Sequence, residues 1–175
     1  MGWKGEDPYA GQRPEATLGA SFSQRLAVWL GTGLGIGLVV PVAPGTFGSL
    51  PGVAAACLLA AWCPVWAQVV VCVLLTAAAV PICTCAERAL KKKDDGRITA
   101  DEWMLYPIAT VGLPLLEQPW LIPLTFVVIR VLDVVKPPPA RQVQFLREGW
   151  GIVADDLAAQ IYALGVNWVL FWWLF

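Results

Sequence analysis

RVLDVVKPPPARQVQFLREGWGIVADD, residues Arg130–Asp156, is the most polar interior stretch of a very apolar chain. Arg130, Asp133 and Lys136 recur every three residues and so share one helix face. Pro137, Pro138 and Pro139 end that helix, because proline lacks the backbone N–H and clashes with the preceding turn. After a short basic loop, Gly149 and Gly151 lead into the adjacent pair Asp155 and Asp156 at the start of another apolar run. The stretch therefore predicts two helix ends meeting at one level. Asp133, Asp155 and Asp156 would lie there beside Arg130, Lys136 and Arg141.

The flanks say what holds this level. Of 175 residues, 58% are hydrophobic and 14% charged, against about 25% charged in a soluble domain. No Asp, Glu, Lys or Arg occurs from Leu26 to Ala86 or from Leu157 to Phe175, and Glu117 alone interrupts Trp103–Ile129. These runs predict an all-α, polytopic membrane bundle of about four to five apolar helices, each crossing needing ~20 residues. Helices are expected at Leu50–Ala61 and Val65–Glu87, hinged at Pro64, with Pro81 kinking the second. Further runs follow from Asp101 to Leu116, from Leu121 to Val135 and from Ile152 to Phe175. Residues 24–175 form one domain behind a polar, Gly- and Pro-rich tail (1–23), which lacks the pattern of a signal peptide. The glycine-rich stretch Leu26–Val42 reads equally as a span, a re-entrant segment or an interfacial one, since alternating glycines weaken a helix.

The loops give the orientation. Glu87–Arg97 holds five Lys or Arg and Lys136–Arg147 holds three, whereas the Pro64 and Glu117 turns hold none. Positive residues stay in the cytoplasm, so both basic loops are expected there. That topology brings Pro44–Ser49, Asp101, Glu102, Arg130, Asp133, Lys136, Asp155 and Asp156 to one face. The net charge of −1 gives no reason to expect a nucleic-acid partner.

Five acids, Asp101, Glu102, Asp133, Asp155 and Asp156, then crowd one membrane face. Asp101 and Asp155 also fit as helix-start residues, where an acid meets the free N–H groups and the dipole. Five acids without a counter-ion would repel one another, which favours a hard cation such as Mg²⁺ held by carboxylate oxygens. Arg130 and Lys136 suit phosphate oxygens or local pairing with Asp133. In APGTFGSLPG (Ala43–Gly52), Gly45 permits close backbone approach, and Thr46 and Ser49 bring hydroxyls to an anion. The chain has no histidine. This removes the Ser-His-Asp triad, Cys-His nucleophiles and phosphohistidine chemistry. The five cysteines read as small packing residues. No DxDx[TV] or Cys-x5-Arg phosphatase motif occurs. What remains is metal-assisted attack by water, with carboxylates holding the ion and basic groups stabilising charge.

APGTFGSL (Ala43–Leu50), GRITADE (Gly96–Glu102), RVLDVVKPPPAR (Arg130–Arg141) and GWGIVADD (Gly149–Asp156) resemble, in this order and spacing, the phosphatidylglycerophosphatase A family. The likeness runs from about Leu30 to Ala163. It implies an all-helical bundle in the cytoplasmic membrane and Mg²⁺-dependent hydrolysis of phosphatidylglycerophosphate to phosphatidylglycerol and inorganic phosphate. The substrate would be a membrane phospholipid that stays in the bilayer. Asp101, Glu102, Asp133, Asp155 and Asp156 would be catalytic and hold the metal. Gly45, Thr46, Ser49, Arg130 and Lys136 would bind substrate. Leu105 and Gln160 stand where the family often has small residues. A phosphatase for another lipid, or a small ion-coupled transporter, stays open. A transporter would place polar groups near the midplane, whereas here nearly all sit at segment ends.

Overall fold

The computed structural model describes residues 21–40, 42–92, 95–135, 137–138, 142 and 149–174. Helix α1 (Phe22–Gly31) starts on a reciprocal cap. The Gln24 N–H donates to Ser21 Oγ at 3.3 Å, and the Ser21 N–H donates to Gln24 Oε1 at 2.9 Å. Phe22 and Ser23, grouped with the tail above, thus already belong to a helix. The chain then reverses through left-handed backbone at Gly33, Leu34 and Gly35 and enters the one-turn helix α2 (Ile36–Val39). The glycine-rich stretch is therefore two short helices around a turn. Ten residues of α1 reach only about 15 Å.

Helices α3 (Pro44–Gly48) and α4 (Leu50–Trp62) follow nearly end to end, and Cys63–Pro64 turns the chain into α5 (Val65–Leu90). Pro81 lies inside α5 without ending it. Next come α6 (Ala100–Leu105), a 3-10 segment (Tyr106–Thr110), α7 (Leu121–Val135) and α8 (Gly149–Leu174). Among the described residues, three helical stretches are long and apolar enough to cross a membrane: Pro44–Trp62, Val65–Leu90 and Gly149–Leu174.

The run from Asp101 to Leu116 departs from expectation. It forms the last five residues of the α-helix Ala100–Leu105, five of 3-10 helix and then turns. Pro107 removes an N–H from the ladder, Gly112 takes φ 76°, and Pro114 bars renewed helix. Exposed backbone polar groups are costly in lipid, and side chains of the two long helices cover these. The Gly112 N–H donates to Gln68 Oε1 of α5 at 2.9 Å. Asn167 Nδ2 and Trp168 Nε1 of α8 donate to the carbonyls of Ala109 (3.0 Å) and Val111 (3.1 Å).

Helices α5 and α8 pack antiparallel through small residues. At one end Gly149 sits where a Cβ would strike the Val80 carbonyl and the Thr84 side chain. At the other, Trp168 and Val65 flank Gly112. Buried Ala79, Cys83 and Ala86 of α5 meet Val153 of α8 and Ala100, Met104 and Leu105 of α6 in one core cluster. A second cluster joins Ala56, Tyr106, Ala109, Leu121, Ile129 and Ala163. Small residues let helices approach closely where lipid offers no hydrophobic drive. Trp62, Trp66, Trp172 and Trp173 stand exposed at the Pro64 end, as an interfacial belt would. The basic loop after α5 lies at the other end.

Candidate active site

Four elements and one loop meet at that second end. A cavity of about 300 Å³ is lined there by Asp95, Asp101, Glu102, Asp133, Asp155 and Asp156, with Gly96, Ile98, Val134 and Ile152 between them. The five acids expected from the sequence therefore share one space. They come from α6 (Asp101, Glu102), α7 (Asp133) and α8 (Asp155, Asp156).

Arg130 ties two of these walls together. Its Nη1 lies 3.1 Å from Glu102 Oε2 and its Nη2 lies 3.2 Å from Asp133 Oδ2, one helical turn along α7. The same Nη1 donates to Ser49 Oγ at 3.3 Å. Ser49 Oγ in turn donates toward Glu102 Oε2 (3.1 Å) and the Gly45 carbonyl (2.8 Å). A Cβ at position 45 would overlap the Glu102 carboxylate, so any other residue there would push Glu102 from its place beside Arg130 and Ser49. The Ala43–Gly52 loop thus reaches the site through Gly45 and Ser49. Thr46 rides half-buried on α3 and is not among the cavity-lining residues. Lys136 and Arg141, expected beside Asp133, lie outside the described residues.

Asp101 is 8% exposed, Asp155 6% and Asp156 5%, so water solvates these groups poorly. Burial pushes the Asp101 carboxyl well above the usual carboxylate range, and the charges of Glu102 and Asp155 add to this. Burial also raises Glu102, against the pull of the Arg130 guanidinium. Asp101 Oδ1 is buried and has no hydrogen-bond partner. Such an atom costs stability unless something else meets it. Among the described residues, no three His, Cys, Asp or Glu side chains are gathered tightly enough to hold an ion by themselves. A wide, all-carboxylate wall with an orphaned oxygen still fits Mg²⁺, which takes one or two carboxylates and keeps its other positions for waters and phosphate oxygens.

Three differences from the sequence reading concern charged residues. Asp155 is no helix-start cap: α8 begins at Gly149, whose N–H donates to Thr84 Oγ1 of α5 at 3.2 Å. Asp155 and Asp156 therefore sit in the second turn and project from the helix wall. Glu87, read above as both the last residue of a helix and the first of a charged loop, lies within α5 and, unlike a loop charge, is 1% exposed. Asp95, passed over above as one charge among many, is 3% exposed and lines the cavity. Arg97 holds it through Nε to Oδ1 (3.0 Å), Nη2 to Oδ2 (2.7 Å) and its backbone N–H to Oδ1 (3.0 Å). Burial would raise the Asp95 carboxyl, but the Arg97 bonds outweigh it and leave it below the usual range. The available signal was its place directly before Gly96–Glu102.

The phosphatidylglycerophosphatase A family model matches residues 29–171. A phosphatidylglycerophosphatase A of Haemophilus influenzae is 32% identical over 146 residues, covering 83% of this chain and 88% of its own. One of Escherichia coli K12 is 31% identical over 142 residues, covering 81% of this chain and 78% of its own. A Bacteroides thetaiotaomicron protein named "Putative phosphatidylinositol-3-phosphatase" is 31% identical over 148 residues, covering 79% of this chain and 89% of its own. No solved structure matches. The matched region contains all of α4 to α7, the Arg130 network and the acids of α8, and the chain belongs to the phosphatidylglycerophosphatase A family.

Proposed function

We propose that the protein hydrolyses the phosphate monoester of phosphatidylglycerophosphate, releasing phosphatidylglycerol and inorganic phosphate at the cytoplasmic face of a bacterial inner membrane. The observation that carries this is the acid-lined cavity at the basic end of the bundle, with Asp101 Oδ1 buried and unpartnered. The family relatives named for this lipid support the substrate. The basic loops support the orientation. The headgroup enters the cavity while the acyl chains stay among exposed apolar side chains such as Val127, Val131 and Val134 of α7.

Asp101, Glu102, Asp133, Asp155 and Asp156 would hold Mg²⁺. When bound, the ion would offset charge on the phosphate oxygens and make water a better nucleophile. The residues of the chain do the rest. Asp101 has lone pairs free to orient the attacking water or to accept its proton. Arg130 fixes Glu102 and Asp133 in register and keeps a cation beside the charge that develops. Water adds to phosphorus, the bond to the glycerol oxygen breaks, and that oxygen takes up a proton.

Purified protein in detergent micelles is expected to release phosphate from phosphatidylglycerophosphate with Mg²⁺ and to stop when EDTA is added. The Bacteroides relative is named for a phosphoinositide, so a phosphatidylinositol 3-phosphate arm belongs in the same assay. Faster turnover there would reassign the substrate. Release undiminished by EDTA would remove the metal.

The metal also predicts a pH dependence of stability. The Asp101 and Glu102 carboxyls are raised above their unfolded values. The metal-free fold therefore binds more protons than the unfolded chain and loses stability as pH rises through these groups. Mg²⁺ replaces the protons, so its stabilisation is expected to be larger at about pH 8 than at about pH 5. Melting curves with Mg²⁺ and with EDTA across this range provide the test. A shift of equal size at every pH would contradict it.

A further inference from the structure

Arg97 is a cation between two residues that line the cavity, Gly96 and Ile98, and the hydrolysis above gives it no task. Its partner Asp95 lines the cavity, and the turn that carries both is fixed at several points. The Ile98 N–H donates to the Asp95 carbonyl (2.8 Å), and the Thr99 N–H donates to the Gly31 carbonyl of α1 (2.8 Å). Gly37 of α2 packs so closely on the Arg97 carbonyl that a Cβ would overlap it. A guanidinium has five N–H donors. Asp95 takes Nε–H and one N–H of Nη2. Among the described residues none meets the end-on edge, Nη1 with the other Nη2 proton, and the side chain is 42% exposed. Arg130, by contrast, is 22% exposed and spent on Glu102, Asp133 and Ser49.

We propose that the free edge of Arg97, aimed by Asp95, binds the phosphodiester phosphate of the substrate and so selects a lipid with two phosphates over one carrying only the reacting monoester. This rests on phosphatidylglycerophosphate being the substrate. That lipid carries the reacting monoester and, across a glycerol, a diester. The monoester must enter a space walled by six carboxylates, where a bridging cation is needed to make its charge acceptable. The diester needs no such bridge. It presents two equivalent oxygens and a single charge, the pattern a guanidinium edge meets with two parallel hydrogen bonds. Arg97 is held before substrate arrives, so little side-chain freedom is lost on binding. Asp95 is then a positioning residue, while Arg97 touches the substrate away from the reacting atoms.

The test compares phosphatidylglycerophosphate with phosphatidic acid, whose only phosphate is a monoester, using full-length protein in mixed micelles with Mg²⁺. Arg97→Gln is expected to raise KM for phosphatidylglycerophosphate about tenfold, or ~1.4 kcal/mol, with kcat within about twofold. KM for phosphatidic acid, or its inhibition constant where turnover is too slow, is expected to stay unchanged. Arg97→Lys keeps a charge without the planar fork and should fall between. Loss of Arg97 leaves the buried Asp95 carboxylate with only the looser Lys92 contact at 4.0 Å, so part of a preparation will not fold. KM does not depend on the folded fraction, and neither does the ratio of kcat/KM for two lipids measured on one preparation. An unchanged KM for phosphatidylglycerophosphate, or an equal rise for both lipids, overturns the role of Arg97 and leaves the hydrolysis standing. A wild-type protein inactive on phosphatidylglycerophosphate overturns both.

Discussion

Asp156→Asn is expected to lower kcat by on the order of 10²–10³-fold, the usual cost of removing one preorganised electrostatic group, and to raise the melting temperature in EDTA. The two effects share a cause. Asp156 is 5% exposed and lines the same cavity as Asp95, Asp101, Glu102, Asp133 and Asp155. The described residues set three cations against these six acids: Arg97 and, more loosely at 4.0 Å, Lys92 on Asp95, and Arg130 on Glu102 and Asp133. Where water is scarce, like charges are weakly screened and their repulsion strains the empty fold. Asparagine keeps the shape and removes one charge, so the metal-free protein gains stability while the substrate-loaded site loses a group it needs. A function-bearing site that costs stability behaves in this way. Phosphate release and melting in EDTA, measured on one preparation, separate the alternatives. Wild-type turnover would remove Asp156 from the site. Lost activity together with a lower melting temperature would make it a structural residue.

The convergence of acids from α6, α7 and α8 was readable from the sequence because charge is rare enough in this chain to fix topology. Apolar runs broken at Pro64 and at the Pro137–Pro139 cluster set the order of the helices. Helix α7 begins and ends where the apolar run does. Hydrophobicity says less about backbone form. The run after Asp101 is as apolar as a span, yet Pro107 and Gly112 turn it into a short helix, a 3-10 segment and a turn. The side chains that make this tolerable, Gln68 and Asn167, are distant in sequence. Nor does charge by itself reveal burial. Glu87 and Asp95 stand among the charges around the basic loop but end up 1% and 3% exposed. Asp95 can do so because Arg97, two residues on, closes a planar pair over it. The start of α8 was missed because glycine signals weak helix in isolation. Here Gly149 is already helical, and its glycine serves packing: only a residue without a side chain fits against the Val80 carbonyl.

Arg130→Gln is expected to reduce kcat/KM by roughly a hundredfold or more, and Arg130→Lys to recover only a small part of that. One guanidinium here serves three groups from three parts of the chain: Ser49 at the head of α4, Glu102 on α6 and Asp133 on α7. Its planar fork lets Nη1 and Nη2 face the two carboxylates at once. A lysine ammonium is a point charge on a flexible stem and cannot span both in fixed geometry. With glutamine, Glu102 loses the counter-charge that opposes its burial and takes up a proton more readily. The pH profile of the glutamine variant should therefore shift to higher pH, because Glu102 must lose that proton before it can serve as a carboxylate. Lysine restores charge without register. It should return the pH profile toward wild type while kcat stays low, and that divergence separates orientation from charge. A lysine variant with wild-type kcat and KM would show that charge alone suffices and that the bridge among α4, α6 and α7 is incidental. A defect confined to KM would instead place Arg130 on the phosphate.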